Sequence, residues 1–123
     1  MTLQAALMCL ALNIYHESRG EPIDGQIAVA MVTMNRADWQ PSEVCRVVYE
    51  KNQFSWTNSN KNKTQEPIAW ARAKRIAKRV VDRKHHDITY GATHFHSHTL
   101  HPAWRKTLKK TTMIGQHVFY TNN

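Results

Sequence analysis

The sequence predicts a mainly α domain with a small antiparallel β element, an α+β arrangement, and three observations lead to it. Apolar residues recur at helical spacing through the first two thirds of the chain, the pattern changes to short extended pieces from Ile88 onward, and 123 residues suffice for one hydrophobic core. A chain of this length hides roughly two-thirds of its unfolded surface, so a single domain over residues 1–123 requires neither a disulfide framework nor a structural metal. The 2 cysteines, Cys9 and Cys45, lack C-x-x-C spacing, which excludes a zinc ribbon and a thioredoxin-type pair and leaves their pairing open.

The first helix is predicted over residues 2–18. Its stretch 5–12 is apolar on every side, which places it through the middle of the domain. Gly20 as a left-handed stop and Pro22 as a breaker end it. A second helix is expected after Asp24 as N-cap and runs to Arg36, with Ile27, Met31 and Met34 on a core face where methionine packs rather than ligates. Ser42 reads as the N-cap of a short helix carrying Val44, Cys45, Val47 and Val48. The polar residues 58–65 read as an exposed loop. Pro67 opens the clearest helix, with Ala69, Ala73, Ile76, Ala77, Val80 and Val81 along one stripe. Its other face carries Arg72, Lys74, Arg75, Lys78, Arg79, Arg83 and Lys84, either a solvated face or a surface for a polyanion. Residues 92–98 and 114–120 are then extended pieces that pair as an antiparallel ribbon around a basic loop at 105–110.

With 17 Lys plus Arg against 9 Asp plus Glu, the net charge of +8 points to an acidic partner. Nucleic acid is one such partner, and a bacterial wall with peptide carboxylates and anionic polymers is another. No apolar run approaches the ~20 residues of a membrane span. No Lys or Arg precedes the stretch 5–12 and no small-residue cleavage site follows it, so no export signal is expected.

Among residues able to do chemistry, Glu17 stands at the last turn of a mostly apolar helix. Desolvation and the helix dipole both favour its neutral form there, the requirement of a glycosidic-bond acid; pairing with Arg19 or His16 is the structural alternative. Glu21 suits a turn-stabilising role through backbone hydrogen bonds or a pair with Arg19, and Asp24 suits a cap. Gln53, Phe54, Ser55 and Trp56 have the composition of a saccharide cleft, and if the segment is extended Gln53 and Ser55 alternate with Phe54 and Trp56, so that one set is core and the other exposed. On an extended strand His94, His96 and His98 point to one side, a geometry a metal site can use. No cysteine or carboxylate lies among them or His101, which weakens a metal site and leaves polar cleft lining by His94 and His96 as the other reading. Phe95, Trp104, Phe119 and Tyr120 read as core or cleft-wall aromatics.

The run Leu12-Asn13-Ile14-Tyr15-His16-Glu17-Ser18-Arg19-Gly20-Glu21-Pro22, followed by Gly25-Gln26-Ile27-Ala28-Val29-Ala30 and Asn35-Arg36, resembles the opening of the bacterial and phage cell-wall hydrolases typified by spore cortex-lytic enzymes. The resemblance continues through Val44-Cys45-Arg46-Val47-Val48-Tyr49 and Gln53-Phe54-Ser55-Trp56, and closes with Ile114-Gly115-Gln116-His117-Val118-Phe119-Tyr120. It implies a lysozyme-like domain acting on peptidoglycan as a lytic transglycosylase, with Glu17 as the catalytic acid and no cofactor or metal. Such enzymes break the bond between N-acetylmuramic acid and N-acetylglucosamine by closing the muramyl 6-hydroxyl onto its own ring. One glutamate can both give and recover the proton. Gln53, Ser55, His94, His96 and Tyr120 are the expected substrate contacts, and Tyr15, Phe95 or Tyr120 the walls that exclude water.

The chain resembles the catalytic unit of spore members without an export signal or a separate wall-binding domain. That implies a monomeric phage endolysin, held in the host cytoplasm until released to the wall, with the basic helix 67–84 gripping the anionic surface. A hydrolytic muramidase and a basic nucleic-acid-binding module are the alternatives.

Overall fold

The computed structural model describes residues 2–50, 55–58 and 63–122. Helix α1 (Leu3–Ser18) starts where the Thr2 hydroxyl accepts the Ala5 N–H at 3.1 Å. It is the hub against which α2 (Ile23–Arg36), α3 (Pro41–Val48) and α4 (Pro67–Val81) pack. Leu10, Ile14, Met31, Met34, Val44, Val48, Ala73, Ile76, Ala77 and Val80 form this core. Burial of α1 is not all-round: Leu3 and Met8 are 49% and 48% exposed, because three neighbours cannot enclose the first turns of a helix this long. Asn13 sits in the core with both ends of its amide used, donating to Thr33 Oγ1 at 3.1 Å and accepting from Trp56 Nε1 at 3.2 Å. A disulfide joins Cys9 of α1 to Cys45 of α3.

Three local expectations are corrected. Gly20 is not left-handed; α1 ends at Arg19 in the right-handed region, and the Glu21 N–H bonds back to the Ser18 carbonyl at 2.9 Å. Asp24 lies inside the first turn of α2, where its charge complements the helix dipole, and Pro22 takes the capping position. In α3 the N-cap is Gln40 and Pro41 is the first helical residue, so Ser42 is interior. Pro41 suits the first helical position, since its fixed φ matches the helix and it has no N–H to leave unpaired, while Pro22 stands one residue before its helix in extended geometry.

Strand β1 (His94–Ser97) pairs antiparallel with β3 (His117–Thr121), as the ribbon expectation has it, but the expected piece 114–120 is broken by a turn at Gly115 and Gln116. The residues between them hold more than a basic loop. After a 3₁₀ turn at Ala103–Lys106 comes a third strand, β2 (Lys109–Ile114), pairing antiparallel with the other side of β3 to give the order β1-β3-β2. Lysines are at home on such an edge strand, which they protect from further pairing. One sheet face, with Phe95 and Phe119, packs against Ala28 and Val32 of α2. The other carries His94, His96 and Tyr120 against Trp104. The Asn35 amide donates to Asp87 and to the Ala92 carbonyl, both at 2.9 Å, fixing the approach to β1. Of the expected loop 58–65, residues 59–62 lie outside the described residues.

Candidate active site

The last turn of α1 and the turn that follows form one wall of an open cavity of about 480 Å³. His16, Glu17, Ser18, Arg19, Gly20 and Glu21 line that wall, and Glu66, Ser97, Gln116 and His117 line the remainder. This volume lies within the range of small-ligand pockets. Burial raises the Glu17 carboxyl to a pKa of about 7. It has no hydrogen-bond or ion-pair partner among the described residues, so nothing offsets the desolvation of its charged form. Near neutral pH it is therefore divided between acid and carboxylate.

The alternative partners of Glu17, Arg19 and His16, are engaged elsewhere. Arg19 folds over the Tyr15 ring, 4.7 Å from its centroid, and its guanidinium pairs with the Glu66 carboxylate. The Glu66 N–H donates to the Tyr15 hydroxyl at 3.1 Å, so the entry to α4 is tied to α1 beside the cavity. His16 stacks on Trp56 at 4.5 Å, and burial followed by the charge of Arg19 lowers its pKa. A neutral His16 adds no charge that would draw the Glu17 proton away.

Glu21 is held by a long-range anchor. Its Oε1 accepts the Gln116 N–H at 2.8 Å and lies 3.6 Å from His117 Nδ1, while its carbonyl accepts from the buried Gln26 amide at 3.1 Å. The β2–β3 turn is thereby fastened to the α1–α2 turn. Gly115 makes this possible: its φ is +58°, and a Cβ there would stand 2.6 Å from Glu21 Oε1. Gly115→Ala is expected to cost about 1–3 kcal/mol from the strained φ and the clash. Gly20→Ala, which meets no atom within 4 Å, should leave stability near wild type. Thermal denaturation of the two variants checks the contrast.

Of the residues named from sequence, the structure brings Glu17 and Glu21 into one cavity. Glu21 is bound by backbone as anticipated, but through the distant Gln116 rather than its own turn, and the ionisable side chain beside it is His117 rather than Arg19. Gln53 lies outside the described residues; Ser55 opens a 3₁₀ turn at Ser55–Asn58 whose Trp56 is core. Alternation along β1 and β3 puts His94, His96 and Tyr120 on the sheet face opposite Ser97 and His117. His96 Nε2 and the Tyr120 hydroxyl lie 3.0 Å apart, and His94 lines a separate hollow with Arg36 and Glu50. Tyr15, Phe95 and Tyr120 do not line the cavity, so water exclusion there falls to other side chains. No group of three or more His, Cys, Asp or Glu side chains is arranged to hold a metal ion among the described residues.

Glu66 and Ser97 are not singled out from sequence, and Gln116 and His117 stand there only within the closing block of the resemblance, with no site role. A signal existed for two of them: Phe95 and Phe119 are the apolar members of their strands, so they claim the core face, and Ser97 and His117 alternate onto that same face. Glu66 carried none.

The model of the cell wall hydrolase family matches residues 20–120, beginning just after Glu17. A spore cortex-lytic enzyme of Oceanobacillus iheyensis is 29% identical over 94% of this chain, which spans only 41% of that enzyme's length. The catalytic domain of the germination-specific lytic transglycosylase SleB from Bacillus anthracis superposes with a TM-score of 0.78 at 28% identity, covering 96% of this chain and 95% of that domain. The Bacillus cereus SleB catalytic domain gives 0.77 at 28% identity, over 96% and 91%. The four-helix core, the three-stranded sheet and the matched sequence agree, and the chain belongs to the cell wall hydrolase family.

Proposed function

We propose that the cavity cleaves peptidoglycan glycan strands between N-acetylmuramic acid and N-acetylglucosamine as a lytic transglycosylase with Glu17 as its proton donor. The observation that carries this reading is a carboxyl raised to about 7 by burial in an open cleft. Glu17 gives its proton to the leaving glycosidic oxygen as the bond from the muramyl anomeric carbon breaks. The muramyl 6-hydroxyl then bonds to that carbon, and its proton passes to the Glu17 carboxylate, restoring the starting state without consuming water. A hydrolytic muramidase needs a base to position water, and Glu21 and Glu66 are the other carboxylates lining the cavity; the ties of Glu21 to Gln116 and His117, and of Glu66 to Arg19, support anchoring roles instead. The lytic transglycosylase activity named for the Bacillus anthracis relative supports the transglycosylase reading.

The role we propose is that of an endolysin that reaches the wall from the host cytoplasm. The net charge of +8 and the exposed cations of α4 support attraction to an anionic wall. The Cys9–Cys45 disulfide fits work outside a reducing cytoplasm. Purified sacculi incubated with the protein should clarify and release soluble muropeptides. Changing Arg72, Arg75 and Arg79 together to Gln should weaken sedimentation with sacculi about tenfold at low salt and flatten its salt dependence, since screened attraction acts on encounter. Cleavage of short soluble glycans should persist. Tight duplex-DNA binding with a steep salt slope and no wall lysis would overturn the reading in favour of a nucleic-acid-binding module.

A further inference from the structure

We propose that Glu21 and His117 form a carboxylate–histidine pair that presents a neutral imidazole acceptor to the cavity, where it takes a hydrogen bond from the acetamido N–H of the bound sugar. The proposal rests on the peptidoglycan reading above, which supplies an N-acetylated substrate. His117 belongs to β3 and Glu21 to the α1–α2 turn, and both line the cavity that Glu17 lines. The His117 ring is wedged between chemically unlike neighbours. Phe95 is 4.9 Å from it, centroid to centroid, on the core side, and Glu21 Oε1 is 3.6 Å from Nδ1. Nδ1 is fully buried with no hydrogen-bond partner, so the carboxylate is the polar group it faces. The 3.6 Å separation is longer than a hydrogen bond, as such contacts often are before substrate tightens them.

The tautomer follows from these contacts. A lone pair on Nδ1 would face the lone pairs of a carboxylate in a buried setting, whereas a proton there is attracted to it, so neutral His117 carries its hydrogen on Nδ1. Nε2, which is not enclosed as Nδ1 is, faces the cavity and can only accept. A nitrogen that can only accept turns away the acetamido carbonyl and admits a donor. Sugar hydroxyls do either, while an acetamido N–H only donates, and each sugar of the proposed substrate carries one. Protonation of His117 turns Nε2 into a donor and abolishes the match. Burial opposes that protonation, Glu21 favours it and the neighbouring His96 adds to the opposition; the net result is a pKa below the usual imidazole value. Glu17, His16, Arg19 and Glu66 are the other ionisable groups around the same cavity.

The test uses glycan strands freed of stem peptides, so that the acetamido groups are the only amides present. An Asn amide overlays the Nδ1 side of a histidine and a Gln amide the Nε2 side. His117→Asn should keep the contact to Glu21 and the melting temperature while raising KM roughly 3- to 10-fold, the worth of one hydrogen bond. His117→Gln should recover most of that loss and remove the His117 acid limb from the pH profile of kcat/KM. Glu21→Gln, which still accepts the Gln116 N–H, should move that acid limb to lower pH, because the carboxylate charge that favours protonation is gone. A wild-type KM in His117→Asn, or an acid limb unmoved in Glu21→Gln, would overturn the pair. Glycan left intact by the wild-type protein would instead remove the peptidoglycan reading beneath it.

Discussion

Glu17→Gln is expected to abolish wall cleavage while leaving the fold intact and, at alkaline pH, more stable. The amide keeps the size and polarity of the carboxyl, so circular dichroism should be unchanged. It cannot give or recover a proton, and loss of one general acid/base group typically lowers rates about 10²- to 10⁴-fold. Stability moves the other way because of what burial does to the carboxyl. Its pKa rises from 4.5 in the unfolded chain to about 7 in the folded one. Below pH 4.5 Glu17 is neutral in both states and the substitution is close to isosteric. Between the two pKa values only the unfolded chain ionises, so native stability falls as pH rises, and above about 7 the full penalty is present. That penalty is about 3 kcal/mol. Urea denaturation of both proteins at pH 4 and pH 8 should show equal midpoints at the first and a higher one for Glu17→Gln at the second. Equal midpoints at both, with activity retained, would remove Glu17 from the chemistry.

The same carboxyl sets the alkaline limit of activity. Since Glu17 must start protonated, kcat/KM should decline above pH about 7, tenfold per unit, and stand near a hundredth of its plateau by pH 9. His16 does not produce this limb: its burial and the neighbouring Arg19 place its titration below the usual imidazole value, on the acid side. A plateau extending through pH 9 would mean that the proton donor is another group.

Glu17 was legible in the sequence because its environment is local. An apolar helix of 16 residues ending in a carboxyl fixes both its burial and the direction of its pKa before any tertiary contact is known. Helix α4 was legible for the same reason, with Pro67 at its start and a clean stripe of small apolar residues behind it. Asp24 and Ser42 misled because a cap and a first-turn residue have the same composition, and a neighbouring proline decided which position each took. The third strand escaped notice because Lys109-Lys110-Thr111-Thr112 carries an edge strand's charges rather than a core alternation. The far wall of the cavity was least legible: Gln116 meets Glu21 across 95 residues, and no local pattern encodes that meeting. His94, His96 and Tyr120 were placed by period alone, and period says which side chains share a face without saying which face turns to the cleft.

The central claim, intramolecular transfer governed by Glu17, is tested most directly by the ends it leaves on the glycan. Purified peptidoglycan digested in water enriched in heavy oxygen should yield fragments ending in 1,6-anhydromuramic acid, each lighter by one water than a hydrolysed end and free of label, when read by mass spectrometry. The tethered 6-hydroxyl has an effective concentration far above that of water, so this product should dominate. Reducing muramic acid ends carrying the heavy oxygen would contradict the account and make the chain a muramidase.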